Sequence, residues 1–126
     1  MIRVPDAGRF ELRLMNGSSN PYLVQAGVIA IGLSGLNNKV NPGEPLTRNM
    51  YTDFKNSLNL KKLPTEIHDI LNFLEDSKEL KGAFGQDTIN SYIELKRIEI
   101  ENFNQKENFD KESSVTEWEK NNTLDC

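Results

Sequence analysis

The stretch Tyr22–Leu36, YLVQAGVIAIGLSGL, carries no charged residue and is apolar on nearly every face. A helix of that composition has no solvent side and must be surrounded by protein. Asn20 precedes it as a candidate N-cap. Pro21 takes the first helical position, where its missing N–H costs nothing. Gly27, Gly32 and Gly35 each lower the intrinsic helicity by roughly 1 kcal/mol relative to Ala. Close approach of another backbone is the compensation such glycines predict. A chain built on this segment therefore has to cover it from several sides.

Upstream, residues 9–15 read RFELRLM and alternate strictly. Phe10, Leu12 and Leu14 face one way; Arg9, Glu11, Arg13 and Met15 face the other. Period two predicts a half-buried strand, and Asn16-Gly17-Ser18-Ser19 reads as the turn that ends it. A lone strand has no partner, so this one points to a sheet completed elsewhere. Downstream the pattern turns helical. Asn41-Pro42-Gly43-Glu44-Pro45 is a loop by its Pro and Gly chemistry, and 49–60 reads as a short helix at most. Thr65 is placed to cap a helix with the stripe Ile67, Ile70, Leu71 and Leu74. Ser77 and Asp87 are placed to cap two more, with Gly85 as a stop between them. The longest helix is expected over 88–104, with Ile89, Tyr92, Ile93, Lys96, Ile100 and Phe103 on its inner stripe. Ser114-Val115-Thr116-Glu117 has the form of a capping box ahead of Trp118. The fold class is mainly α, five or six helices, with one short β-strand or hairpin.

With 126 residues there is room for one domain with a modest core. The net charge of −4 and isoelectric point near 5.0 argue against nucleic acid or an anionic membrane surface as partner, since both need concentrated positive charge. The longest apolar run, Val28–Leu33, cannot span a bilayer. No apolar leader segment opens the sequence, so a cytoplasmic location is expected. The chain has one cysteine, Cys126, and one histidine, His68, which do not make a zinc site. His68 lies off the apolar stripe of its helix and is read as a surface histidine. Trp118 is read as a packing anchor, and the glycines of the first helix as packing positions, since no strand leads into a Gly-rich loop.

One constellation carries chemistry. Arg9, Glu11 and Arg13 place a carboxylate between two guanidinium groups on one strand face. By spacing alone the commoner reading is a surface charge ladder. The functional alternative is that Glu11 binds a divalent cation, which prefers carboxylate oxygen, while the arginines hold phosphate or carboxylate through their planar forks.

The order of motifs then adds a resemblance. Arg3-Val4-Pro5, Arg9-Phe10-Glu11-Leu12-Arg13 and Asn20-Pro21-Tyr22-Leu23 are followed by Gly32-Leu33-Ser34-Gly35-Leu36-Asn37-Asn38-Lys39. Next come Asn41-Pro42-Gly43-Glu44-Pro45-Leu46, Asn49-Met50-Tyr51, Leu63-Pro64, Tyr92-Ile93-Glu94-Leu95-Lys96-Arg97 and Thr116-Glu117-Trp118-Glu119. Together these resemble the C-terminal part of the glutamine synthetase catalytic domain, over almost the whole chain. The ending Thr123-Leu124-Asp125-Cys126 is similar to a cyanobacterial-type, type III-like subgroup.

The resemblance implies an ATP-dependent ligase. In that family ATP phosphorylates the side-chain carboxylate of glutamate, and ammonia then attacks the acyl phosphate. It implies that Glu11 binds one of the active-site metals, Mg²⁺ or Mn²⁺, that Arg13 holds the glutamate carboxylate, and that Arg3 and Arg9 contact ATP and its phosphates. The implied partners are glutamate, ammonia and ATP, with no nucleic acid and no membrane, in a homo-oligomer. The resemblance also implies that residues 1–126 are a partial catalytic domain, about a quarter to a third of a complete subunit. Residues 1–15 would carry the site, 20–104 the helical portion and 105–126 a polar segment and tail. The family's other metal carboxylates, its nucleotide-stacking residues, its ammonium site and its gating loop lie upstream of the matched part, so this fragment is expected to be inactive alone. Asn16 stands where an acidic residue is expected, Ser18-Ser19 replace smaller apolar residues, and 104–113 departs from the family pattern. The competing expectation is a non-catalytic helical interaction or oligomerisation module derived from that family.

Overall fold

Alternation and turn chemistry decide the start of the chain in the computed structural model, which describes residues 2–17, 19–47, 49, 52, 61–106 and 115–122. β1 (Ile2–Asp6) and β2 (Arg9–Leu12) pair antiparallel as a two-stranded sheet. The register sets Ile2 opposite Leu12, Arg3 opposite Glu11 and Asp6 opposite Arg9, with an irregularity between Arg3 and Asp6. That irregularity brackets Pro5, which has no N–H to give to a ladder and is tolerated at such breaks. Gly8 closes the turn at φ +79°, a backbone region that glycine enters without steric cost. The strand read at 9–15 is thus a shorter strand, 9–12, and it has a partner. The missing signal was Ile2-Arg3-Val4, itself alternating and followed by the turn residues Asp6-Ala7-Gly8.

Five helices follow among the described residues: α1 (Pro21–Asn37), α2 (Ile67–Asp76), α3 (Lys78–Phe84), α4 (Gln86–Lys106) and α5 (Glu117–Asn122). α1 starts as its sequence dictates. The Asn20 side-chain oxygen accepts from the N–H groups of Tyr22 at 3.0 Å and Leu23 at 3.1 Å, satisfying two of the donors a helix start leaves open. Its end is also local: Asn38 donates to the Ser34 carbonyl at 2.9 Å. No residue of α1 is buried; Ile29 is 62% exposed and Leu36 76%. A Cβ added at Gly27, Gly32 or Gly35 would meet nothing within 4 Å. The close backbone approach expected at these glycines is not made by the described residues.

The other helix boundaries correct three expectations. α2 begins at Ile67, with Glu66 at the N-cap and no side-chain cap bond. Thr65 is therefore one residue too early for its hydroxyl to serve. Ser77 does cap α3, accepting from the Leu80 N–H at 3.3 Å. Gly85 stops α3 at φ +85°. α4 starts directly after it, so Asp87 falls inside the first turn, where its charge complements the helix dipole instead of capping. The box before Trp118 is shifted by two residues. The Thr116 N–H donates to the Glu119 carboxylate at 2.7 Å and the Glu119 N–H to the Thr116 hydroxyl at 3.1 Å. That reciprocal pair is the capping-box pattern; Ser114 lies outside the described residues, as does most of 49–60.

The chain divides into two compact units, Met1–Ala30 with Glu94–Cys126, and Ile31–Ile93. In the second unit Leu71 of α2 meets burial together with Ile89 and Ile93 of α4, the only buried hydrophobic residues among those described. These are stripe positions at helical spacing, so periodicity located the core. In the first unit Phe103 of α4 and Trp118 of α5 meet edge to face, centroids 5.5 Å apart at 82°, a favoured aromatic geometry. Trp118 is the anchor its sequence position suggested. No helix among the described residues is long and apolar enough to cross a membrane.

Candidate functional site

The hairpin assembles the site because of its register. Residues directly opposite in an antiparallel pair share a face, as do residues two apart on one strand. Arg3 is opposite Glu11, and Arg9 and Arg13 flank Glu11 at two residues on either side. The pairing therefore turns three arginines toward one carboxylate. Arg9 Nη2 lies 2.7 Å from Glu11 Oε1, and Arg3 Nη1 lies 3.3 Å from Oε2. Arg13 Nε is 3.8 Å from the same Oε2, an ion pair without a hydrogen bond. Arg3 is the member that spacing alone did not bring in, because its approach depends on β1.

The exposures differ usefully. The Glu11 side chain is 27% accessible, while those of Arg9 and Arg13 are 63%. The carboxylate is screened by its own arginines, and the guanidinium forks face solvent. The Arg9 hydrogen bond holds the Glu11 carboxyl below its ordinary value; partial desolvation works against this, and the Arg3 bond and the charges of Arg3 and Arg13 reinforce it. Exposed ion pairs of this kind contribute little to stability. What they fix is charge: an ionised carboxylate inside a cluster that remains net positive.

A cluster of that kind selects its ligands by sign. Phosphate or carboxylate oxygens suit the outward guanidinium forks. A divalent cation would find one hard oxygen donor in Glu11, which suits Mg²⁺ or Mn²⁺. Among the described residues, no group of three or more His, Cys, Asp or Glu could hold a metal ion. Glu11 by itself would give such a cation one ligand. The arginines oppose a bare cation and favour one that arrives with anionic phosphate.

The remaining sequence candidates are described each in its own unit. His68 is exposed on α2, and Trp118 is engaged with Phe103. Cys126 lies outside the described residues.

Comparison with known proteins gives a consistent picture. The family model for the glutamine synthetase catalytic domain matches residues 1–121. A glutamine synthetase of Rhizobium meliloti is 41% identical over 125 residues, covering 99% of this chain and 27% of that protein. A glutamate–methylamine ligase of Methyloversatilis universalis is 34% identical over 128 residues, again 99% of this chain and 27% of the relative. A gamma-glutamylethanolamide synthetase of Streptomyces coelicolor is 35% identical over 112 residues, 88% of this chain and 21% of the relative. No solved structure gives a significant match. The chain thus spans about a quarter of the length of the curated relatives it matches. With the arginine-rich hairpin at its start and the family model running from residue 1 to residue 121, the chain belongs to the glutamine synthetase catalytic-domain family.

Proposed function

We propose that this chain supplies part of the active site of a glutamine synthetase-like ligase, which joins ammonia or another amine to the side-chain carboxylate of glutamate using ATP. The observation that carries the reading is the convergence of Arg3, Arg9 and Arg13 on Glu11, in a chain matched by the family model almost end to end. In this reading Arg13 holds the glutamate carboxylate, Arg3 and Arg9 hold ATP phosphates, and Glu11 is one ligand of Mg²⁺ or Mn²⁺. The metal would offset phosphate charge as phosphoryl transfer develops. The arginines do the same from the protein side. The hairpin register gathers them at one carboxylate, and their bonds to Glu11 would give way as phosphate takes the guanidinium groups.

The rest of the proposal follows from the family. Residues 1–15 form the site-bearing strand region, 20–104 the helical portion, and 105–126 a polar segment and tail. The complete enzyme is a cytoplasmic homo-oligomer of the cyanobacterial-type, type III-like subgroup. The acceptor is set at the level of an amine, because the relatives' names differ on that point: glutamine, methylamine, ethanolamide.

One metal ligand and three arginines do not bind and orient three reactants, so the chain alone is inactive. Purified chain supplied with glutamate, ATP, Mg²⁺ and ammonia should form no glutamine; robust turnover would refute this. A chimera tests the positive claim. Replacing the matched segment of the Rhizobium meliloti enzyme with this chain should leave a working ligase that Arg13→Ala disables. A folded chimera without activity would overturn the proposal.

A second reading is favoured by α1, none of whose residues is buried and whose Ile29, Leu33 and Leu36 are exposed. As an interaction or oligomerisation module, the chain would use that helix to bind a second protein surface, since apolar patches of this extent mark association sites. Light scattering separates the two. A well-folded monomer at high concentration excludes the module.

A further inference from the structure

We propose that Asn16–Gly17 is a self-modifying site, at which Asn16 converts spontaneously to aspartate and isoaspartate with loss of ammonia. The chemistry needs a backbone nitrogen able to reach the side-chain amide carbon of the preceding asparagine. The Gly17 nitrogen bonds to Asn16 Cγ and passes its proton, through water, to the departing amide nitrogen. Ammonia leaves and a five-membered succinimide remains. Water then adds to either ring carbonyl, opening the ring to an aspartyl or an isoaspartyl link. No oxidant or second reactant is involved.

Three observations single out this position. Asn16 and Gly17 are both exposed, so water and base have access. Gly17 has open space on the side where a Cβ would stand, with nothing within 4 Å, and glycine gives the chain the freedom to bend there. The Ser19 hydroxyl donates to Asn16 Oδ1 at 3.2 Å. That oxygen takes up negative charge when nitrogen adds to Cγ, so a donor already in place stabilises the tetrahedral intermediate as an oxyanion hole does.

Four of the chain's other asparagines supply the contrast. Asn20 and Asn41 precede proline, which has no N–H to lose. Asn38 has its amide nitrogen on the Ser34 carbonyl at 2.9 Å, and the next backbone nitrogen, that of Lys39, is bound to the Leu36 carbonyl at 3.1 Å. Asn90 lies within α4 and the backbone nitrogen after it belongs to the helix ladder, so the donor that Gln86 places on its Oδ1 at 2.7 Å has no free nucleophile to assist.

The product has a consequence for the hairpin. A carboxylate at position 16 joins Asp6 and Glu11 and cancels the positive excess of Arg3, Arg9 and Arg13 across residues 2–17. Its effect on anion binding rests on the proposed function; the modification itself does not.

The test is incubation of the intact chain at mildly alkaline pH, with peptide mapping by mass spectrometry, isoaspartate detection and ammonia release. The expected result is the amide-to-acid mass gain at Asn16, ahead of Asn38 and Asn90, accompanied by isoaspartate. Gly17→Ala should abolish that lead, and Ser19→Ala should slow Asn16 several-fold while leaving the other asparagines unchanged. Loss of amide at Asn16 no faster than at Asn90 in the unsubstituted chain would overturn the proposal, and that comparison needs no variant to fold. An unchanged rate in Ser19→Ala would overturn the part given to the hydroxyl. Nucleotide binding enters none of these readouts, so a failed ligase reading would leave them intact.

Discussion

Gly32→Ala is the substitution that most directly probes α1. Glycine inside a helix is about 0.8–1.0 kcal/mol less favourable than alanine, because its unfolded chain has more conformations to lose. The new methyl group would meet nothing within 4 Å, so no clash offsets the gain. Gly32 does not occupy the positive-φ region, unlike Gly8, Gly43 and Gly85. In this chain alone, Gly32→Ala should therefore stabilise by about 0.9 kcal/mol, roughly fivefold in the folded-to-unfolded ratio and about 4 °C in melting temperature. Thermal melts by circular dichroism, with hydrogen exchange across α1, measure it. Gly85→Ala is the matched control: at φ +85°, ψ 146° an alanine is strained and should cost about 1–3 kcal/mol. A neutral or destabilising Gly32→Ala would refute the reasoning, since it would mean that something already lies against the helix. The sign should reverse in the chimera with a complete synthetase if, as the composition of α1 predicts, that helix is covered there.

Three further substitutions read out the local chemistry. Thr116→Ala removes the two bonds of the Thr116 hydroxyl, from the Glu119 N–H and to the Glu119 carboxylate, leaves the backbone N–H bond in place, and should cost α5 about 1 kcal/mol, seen as faster amide exchange over 117–122. The backbone and side-chain bonds from Thr116 lower the Glu119 pKa. The folded value being the depressed one, the box contributes fully above the ordinary carboxylate pKa and is lost as pH falls through the lowered value; an NMR titration of Glu119 should show this, and Thr116→Ala should raise the value only part of the way, because the backbone bond, the larger cause, remains. On the hairpin, Arg9→Ala should raise the Glu11 pKa more than Arg13→Ala does, because Arg9 is hydrogen-bonded at 2.7 Å and Arg13 is paired at 3.8 Å. Equal shifts in the two variants would show that summed charge, not the bond, sets it.

Much of the fold could be read from local rules, and the failures have a common cause. Asn20 with Pro21, Ser77 and Gly85 each act within a few residues of themselves, so their roles as caps and stops were legible. The stripe of α4 named Ile89 and Ile93, which are the buried positions. Thr65 and Asp87 were misplaced because a cap is decided by where the first helical turn begins, and the competing starts lay one residue apart at α2 and two at α4. β1 was missed because Pro5 interrupts its alternation, and a five-residue strand with a break gives little periodic signal. Arg3 then followed β1: a residue brought in by pairing across a turn is invisible to spacing along one strand. The resemblance in sequence implied only a contact between Arg3 and ATP; its place at Glu11 comes from the register.

The same register bears on how Glu11 can act. A lone carboxylate with three guanidinium groups around it is kept ionised, yet its oxygens are occupied and its surroundings repel free cations. Such a group becomes a metal ligand only when something draws the arginines outward, and the species able to do so is an anion with several oxygens. Polyphosphate meets that requirement and brings the countercharge a divalent cation needs. If Glu11 is a metal ligand, as proposed, cation binding at the hairpin would depend on anion binding through the arginines themselves. α1 makes a parallel demand at the level of packing, since a helix apolar on all sides is completed only by protein outside the described residues. Charge at the hairpin and apolar surface at α1 are separate features. Both are what a portion of a larger catalytic domain would carry, and each can be tested without the other.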